Sequence, residues 1–300
     1  MSNHNHSSTL FSQSHILIEI ESLVQYIERT YPDGQYYETM LYSLPRFLSV
    51  YSPMHKYSEH IQLLWDGCMA VGLLDPLRPV QLTMDVVVGL VSWIAQAVKQ
   101  PYLKRFKSDR RYEMSSKNDN LSQYAQSLHI HYARLLVIRV DLYYRMECQH
   151  LVSVDDVYLH LEMMRGAKQS NQLFEHLVGS AWCIEQGESR GYHLHTAYYF
   201  KGSEHQNDWY MARQIGQLWE RVTQGLGTYH SCNTPAEKVK YDKLGILGVG
   251  MIRRNDRMAC ENAIHTAGYL ADYEKEDQYL RMKPKGRRVF GTGLVQKGRL

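Results

Sequence analysis

The stretch SAWCIEQGESRGYHLHTAYYF, residues 180–200, decides how the second half of this chain folds. SAWCIEQ (180–186) is rich in strand formers, GESRG (187–191) is a turn bracketed by glycines, and 191–201 resumes as a strand. That order predicts a β-hairpin. Side chains alternate faces along a strand, so His193 and His195 project together, with Ala197 and Tyr199. Tyr192, Leu194, Thr196, Tyr198 and Phe200 take the other face, the predicted core side. A turn centred on Ser189 sets Glu185 opposite His193 and Cys183 opposite His195, with about 5 Å between opposed Cβ atoms. One carboxylate and two imidazoles on one patch suit a divalent metal with open coordination positions. The plainer reading of His-x-His is a solvent-facing polar pair, and a one-residue slip would turn Glu185 to the wrong face.

Outward from the hairpin, LLVIRVDLYY (135–144) reads as a strand and 153–177 as a helix with Ser153 as its N-cap. NDWYMARQIGQLWERVTQG reads as helix, KLGILGVGMI as a further strand, and 257–282 as one long helix. This order predicts an α+β fold, an antiparallel sheet with helices on one side. From Ile16 to about Met114, apolar residues recur at three- and four-residue spacing, which predicts an all-α region. SDRRYEMSSKNDNLSQ (108–123) is polar and aperiodic and marks a boundary. The predicted organisation is a disordered tail (1–14), a helical N-terminal domain (15–120) and a second domain (124–300) with a basic C-terminal tail.

The chain has 300 residues, 44% hydrophobic and 22% charged, which places it among soluble globular proteins. Its five cysteines are odd in number and form no C-x-x-C pair, which argues against a disulfide framework or a zinc ribbon and for a reducing cytoplasm. The start of the chain lacks the charged and apolar regions of a signal peptide. The longest apolar run, 86–98, falls short of the roughly 20 residues that span a bilayer, so it predicts a buried helix and no membrane. The net charge is +3, yet residues 99–111 hold six Lys/Arg against one Asp, and 283–300 hold six and no acid. Such clusters fit phosphate contact, with a solvated surface or a frayed tail as the alternative. Lys283, Lys285, Arg287 and Arg288 are the candidate DNA contacts. Tyr198, Tyr199 and Trp209 are candidates to stack bases, with core packing as the commoner reading of aromatics on a sheet.

Tyr269 and Tyr273 lie four residues apart in the predicted last helix, about 40° apart around its axis. Lys275 follows within a turn. A tyrosine pair at this spacing is often packing, but a metal site plus a phenol can also cleave a phosphodiester and keep the DNA on the tyrosine.

H-hydrophobic-H on a strand followed by tyrosines on a helix resembles the HUH endonucleases of rolling-circle replication. RVDLYY (139–144), WCIEQGESRGYHLH (182–195), GTYHSCN (227–233), DQYLR (277–281) and GRRVFGTG (286–293) resemble the C-terminal domain shared by filamentous-phage replication initiators and related prophage-encoded proteins. The resemblance implies an HUH-like catalytic domain over 124–300 and a rolling-circle initiator that nicks and joins single-stranded DNA through a 5′-phosphotyrosine. It implies Mg²⁺ or Mn²⁺ on Glu185, His193 and His195, Tyr269 or Tyr273 as nucleophile, and Lys275 as the residue that neutralises phosphate. It further implies a single-stranded or hairpin origin as partner, with a host replication helicase or polymerase, in a bacterial cytoplasm. Asp141 recurs in the family pattern without an assigned role. Where relatives carry a lysine three residues after the tyrosine, this chain has Asp272 or Glu276. That departure motivates the alternative of a non-catalytic DNA-binding or regulatory protein with the same fold, and a plain interaction module is the third reading.

Overall fold

The computed structural model describes residues 11–77, 80–271 and 277–293. Four helices come first: α1 (Gln13–Thr30), α2 (Tyr37–Val50), α3 (Glu59–Ala70) and α4 (Met84–Ala97), with the short strand β1 (His55–Tyr57) between α2 and α3. Their apolar stripes meet, and Leu17, Ile20, Leu44, Phe47, Leu64 and Leu90 are fully buried. The run 86–98 falls in the helix α4 and its C-cap, but only one face is buried: Val87, Leu90, Val91, Ile94 and Ala95 are inside, while Val88 is exposed. Residues 11–14, expected in a polar tail, instead open α1: the Ser12 hydroxyl accepts from His15 N–H at 3.2 Å.

α5 (Pro101–His131) runs through the stretch 108–123 that its polarity marked as a boundary. Pro101 fits its first turn, where no intrahelical donor is needed. The polarity has a different cause. The first half of α5 lies on the helical region through Lys107 with Glu28 and Arg110 with Glu59, largely exposed. Its second half packs on the sheet through Leu121, Tyr124, Ala125 and Leu128. A helix that bridges two regions can be polar over much of its length.

The second region holds β2 (Arg134–Tyr144), α6 (Val154–Ser170), β3 (Leu177–Gly187), β4 (Gly191–Lys201), α7 (Asp208–Val222), β5 (Gly227–Ser231), α8 (Pro235–Lys243), β6 (Gly250–Arg253), α9 (Arg257–Gly268), β7 (Met282–Pro284) and β8 (Phe290–Thr292). The sheet order is β5-β2-β4-β3-β8, with β6 beside β2 beyond the end of β5, and every pairing is antiparallel. β7 pairs instead with β1 of the helical region. Ser153 caps α6 as expected, in a capping box with Asp156. β5 falls in GTYHS, outside the strands expected from sequence, and β6 is the C-terminal part of the expected KLGILGVGMI strand.

Two expectations need correction. Helices cover both sheet faces, not one. Leu136, Ile138, Leu142, Leu194 and Phe200 join a core with α6, α7 and the N-terminal helices. Val137, Ala181, Ala197 and Tyr199, on the opposite face, pack under α5 and α9. Both faces carry apolar side chains, so both need cover. Gly179 is what lets α5 approach: a Cβ there would stand 2.5 Å from Leu128 Cδ1.

The helix expected over 257–282 ends at Gly268, followed by a single 3₁₀ turn, Tyr269–Ala271. Residues 277–281 are non-helical because Arg281 holds them elsewhere. Its guanidinium donates to the carbonyls of Asp277, Tyr279 and Gln186 and pairs with Glu21 of α1 at 2.8 Å. Likewise 282–292 is no frayed tail, since it contains β7 and β8.

Candidate metal centre

The β3–β4 hairpin has the expected register: Glu185 pairs with His193 and Cys183 with His195, and Gly187 closes on Gly191. Gly191 adopts a left-handed φ of 58°, which a three-residue hairpin loop favours. Three ligand atoms converge. Glu185 Oε2 lies 3.1 Å from His195 Nε2 and 3.4 Å from His193 Nε2. One atom from each residue falls within 4.8 Å of the others, so Glu185, His193 and His195 form a group able to hold a metal ion. All three are buried, at 6%, 2% and 4% exposure. They do not face open solvent, as the plainer reading of His-x-His requires.

The other ring nitrogen of each histidine is also engaged. His193 Nδ1 is 3.1 Å from the Gly191 carbonyl, which favours the tautomer with its proton on Nδ1 and a lone pair on Nε2. His195 Nδ1 lies 2.8 Å from Asp141 Oδ1, an ion-pair contact out of good hydrogen-bond alignment. Asp141 arrives there because β2 pairs with β4 in a register that sets it opposite His195. A carboxylate behind an imidazole orients the ring and raises its basicity, and Asp141 stands in that position behind His195.

The charges are coupled. Burial disfavours the Asp141 carboxylate, but Arg139 and His195 outweigh it and hold its pKa well below the usual range. Burial would likewise lower His195, yet Asp141 and then Glu185 raise it. Arg139 Nε sits 3.3 Å from Asp141 Oδ1. On the same face the Tyr143 ring is 5.6 Å from that of His193, with the Arg190 guanidinium 4.4 Å from its centre. Burial, then Asp141, pushes the Tyr143 phenol up, which makes it a hydrogen-bond donor and not a phenolate. Gln278 also reaches this edge: a Cβ on Gly187 would stand 3.6 Å from His193 Cε1 and 3.9 Å from Gln278 Cδ.

Arg139 and Tyr143 escaped the sequence reading. Their signal was the alternation R-x-D-x-Y along β2, which puts both on the face of Asp141. Gln278 gave no local signal, because its place follows from the Arg281 anchor.

Tyr269 begins the turn after α9 and is 40% exposed. Its ring stacks on His265 at 6.4 Å, and the Arg139 guanidinium lies 5.6 Å from its centre. Tyr269 is thus linked through Arg139 and Asp141 to His195. Tyr273 and Lys275, with Asp272 and Glu276, lie outside the described residues. The basic residues are dispersed: Lys285, Arg287 and Arg288 are exposed, Arg287 pairs with Glu162 at 3.1 Å, and Lys283 is half-buried on β7. Tyr198 and Tyr199 are core, at 5% and 1% exposure, and are not available to stack bases, while Trp209 is 46% exposed.

Among the described residues no helix is long and apolar enough to cross a membrane. Comparison with family models, curated proteins and solved structures finds no match to this chain.

Proposed function

We propose that this chain is a metal-dependent nicking and joining enzyme of the HUH kind, acting on single-stranded DNA as a rolling-circle replication initiator. The observation that carries the reading is the convergence of Glu185 and the two histidine Nε2 atoms on one point, backed by Asp141. Mg²⁺ or Mn²⁺ held by Glu185, His193 and His195 would withdraw charge from a scissile phosphodiester. The phenol oxygen of Tyr269 or Tyr273 forms the new bond to phosphorus and gives up its proton. The bond from phosphorus to the 3′ oxygen breaks, and that oxygen leaves with a proton as a 3′-hydroxyl. The 5′ end stays on the tyrosine, and attack by a 3′-hydroxyl reverses the step and joins the strands. Arg139, fixed by Asp141 beside the Tyr269 ring, places a cation where negative charge gathers.

The test is incubation of the full chain with single-stranded oligonucleotides tiled across its replicon, in Mn²⁺ and in Mg²⁺. The expected result is a covalent adduct that survives SDS, lost in His193→Ala and in Tyr269→Phe or Tyr273→Phe. A second reading, a DNA-binding protein of the same fold without turnover, is favoured by the burial of all three ligand residues. Oligonucleotide binding with no adduct in either metal would establish it and sink the first.

A further inference from the structure

A cavity of about 460 Å³ lies between the helical region and the sheet. α3 and the first half of α5 form one wall, β3 and residues 278–289 the other, and the cavity reaches Cys183 and Glu185. Its volume falls in the range of small-molecule sites. Neither the candidate metal centre nor an ion pair accounts for Lys56, Lys117 and Lys283, three of the described cations that border it.

Lys56 and Lys283 both line it, and they are direct cross-strand partners in the β1–β7 ladder. Like charges directly opposed weaken a strand pair. Burial and then Lys56 push the Lys283 ammonium down, Glu113 partly offsets this, and Lys117 pushes the same way. Lys117 enters the cavity from α5. Among the described residues none of the three lysines forms an ion pair, whereas the cavity's Arg110 is occupied by Glu59 and the Tyr279 ring. Lys56, opposite Lys283 in the strand ladder, and Lys117 both line the cavity with it, so an anion held there would relieve the crowding of positive charge around Lys283. Carboxylates line it too: Glu59 is taken by Arg110, Asp109 pairs with Arg105, Asp66 accepts from Gln62 and Glu185 faces the histidines, which leaves Glu113 beside the lysines. The lining also has an apolar surface from Phe106, Met114 and Leu280, which suits a flat ring more than a bare inorganic ion.

We infer that this cavity binds a nucleoside phosphate, with the phosphate on Lys56, Lys117 and Lys283 and the base on Phe106, Met114 and Leu280. The inference rests on the proposed function for its link to DNA: Glu185 is part of the cavity wall, so a nucleotide there lies near the proposed cleavage centre. It gives the helical region a task, because Lys56, Phe106, Met114 and Lys117 precede the sheet and build most of the site.

The experiment uses the full chain in EDTA, so metal binding plays no part. Fluorescence anisotropy measures a labelled ten-nucleotide oligothymidylate, with unlabelled thymidine 5′-monophosphate and inorganic phosphate as competitors. The Lys56→Gln/Lys283→Gln variant is expected to bind the oligonucleotide about tenfold or more weakly, with the slope of log affinity against log salt reduced by about 0.7 for each phosphate no longer neutralised. Lys283→Arg keeps the charge and is expected to bind within about twofold of wild type. His193→Ala, at a position outside the cavity lining, measured in the same buffer, is expected to bind normally while losing adduct formation in Mn²⁺. Competition by the mononucleotide identifies a site for single nucleotides, and competition by oligonucleotide alone identifies a site within a strand; either upholds the inference. Unchanged binding in the double lysine variant overturns it, as does a wild-type chain that binds none of the three probes. Adduct formation in that double variant with unchanged binding would leave the nicking reading standing alone.

Discussion

On β4, Leu194 and Phe200 are fully buried in an apolar core, whereas His193 and His195, on the opposite face, are as well buried among charged and polar atoms. Exclusion of water stabilises the first face, at about 25 cal/mol per Å² of apolar surface. On the second it carries a cost, because an imidazole or carboxylate removed from water needs a partner. The chain meets that cost with a row of partners: Glu185, the histidines, Asp141, Arg139. Equal burial therefore means cohesion on one side of the strand and a held set of charges on the other.

Three kinds of substitution and one titration can break or sharpen this contrast. The largest effect is expected from Asp141→Asn. It leaves Arg139 buried without its counter-charge, and should lower unfolding free energy by about 3–5 kcal/mol, read by urea denaturation. A loss under about 1 kcal/mol would mean the polar face is not a coupled network. Leu194→Ala on the apolar face should cost about 2–5 kcal/mol, yet leave the Mn²⁺ binding proposed for Glu185, His193 and His195 intact in the folded fraction, read by calorimetry. If it abolished metal binding, the two faces would not be separable.

The third concerns α5, which covers part of the polar face. Burial lowers the pKa of His129 to about 4, and its Nε2 has no hydrogen-bond partner. A group whose folded pKa lies below its unfolded value, here a histidine held neutral, makes the folded state harder to protonate than the unfolded chain. Stability is therefore full above about pH 6.5 and falls as pH drops toward 4, by about 3 kcal/mol at most. Denaturation midpoints across that window should flatten in His129→Leu. The smallest effect is expected remote from both faces: Ser153→Ala removes the α6 cap and should cost about 1 kcal/mol by thermal unfolding.

The hairpin was legible because two local rules agreed: a glycine-bracketed turn fixed the register, and the period of two then placed Glu185, His193 and His195 on one face. Asp141 was visible as a residue but not as a partner of His195, since that depends on how β2 pairs with β4, a contact between distant segments. The end of α9 was not legible. Beyond Gly268 nothing in YLADYEKEDQYLRM stops a helix locally; 277–281 leave the helical path because Arg281 reaches Glu21, which lies near the other end of the chain. The polar stretch 108–123 hid a helix for a related reason. Aperiodicity reports that no continuous stripe is buried, and a helix resting on different partners at its two ends shows the same pattern.

At about 1.5 Å per residue, the 31 residues of α5 make a strut of about 46 Å. Anyone trimming this polypeptide to a minimal fragment at position 120 would saw through that beam. Such a cut discards Lys107 and Arg110 with the ion pairs they make, removes Glu21 from beneath Arg281, and opens the side of the lysine-rimmed chamber. A shortened product that lost function would therefore report a missing girder, not a dispensable accessory.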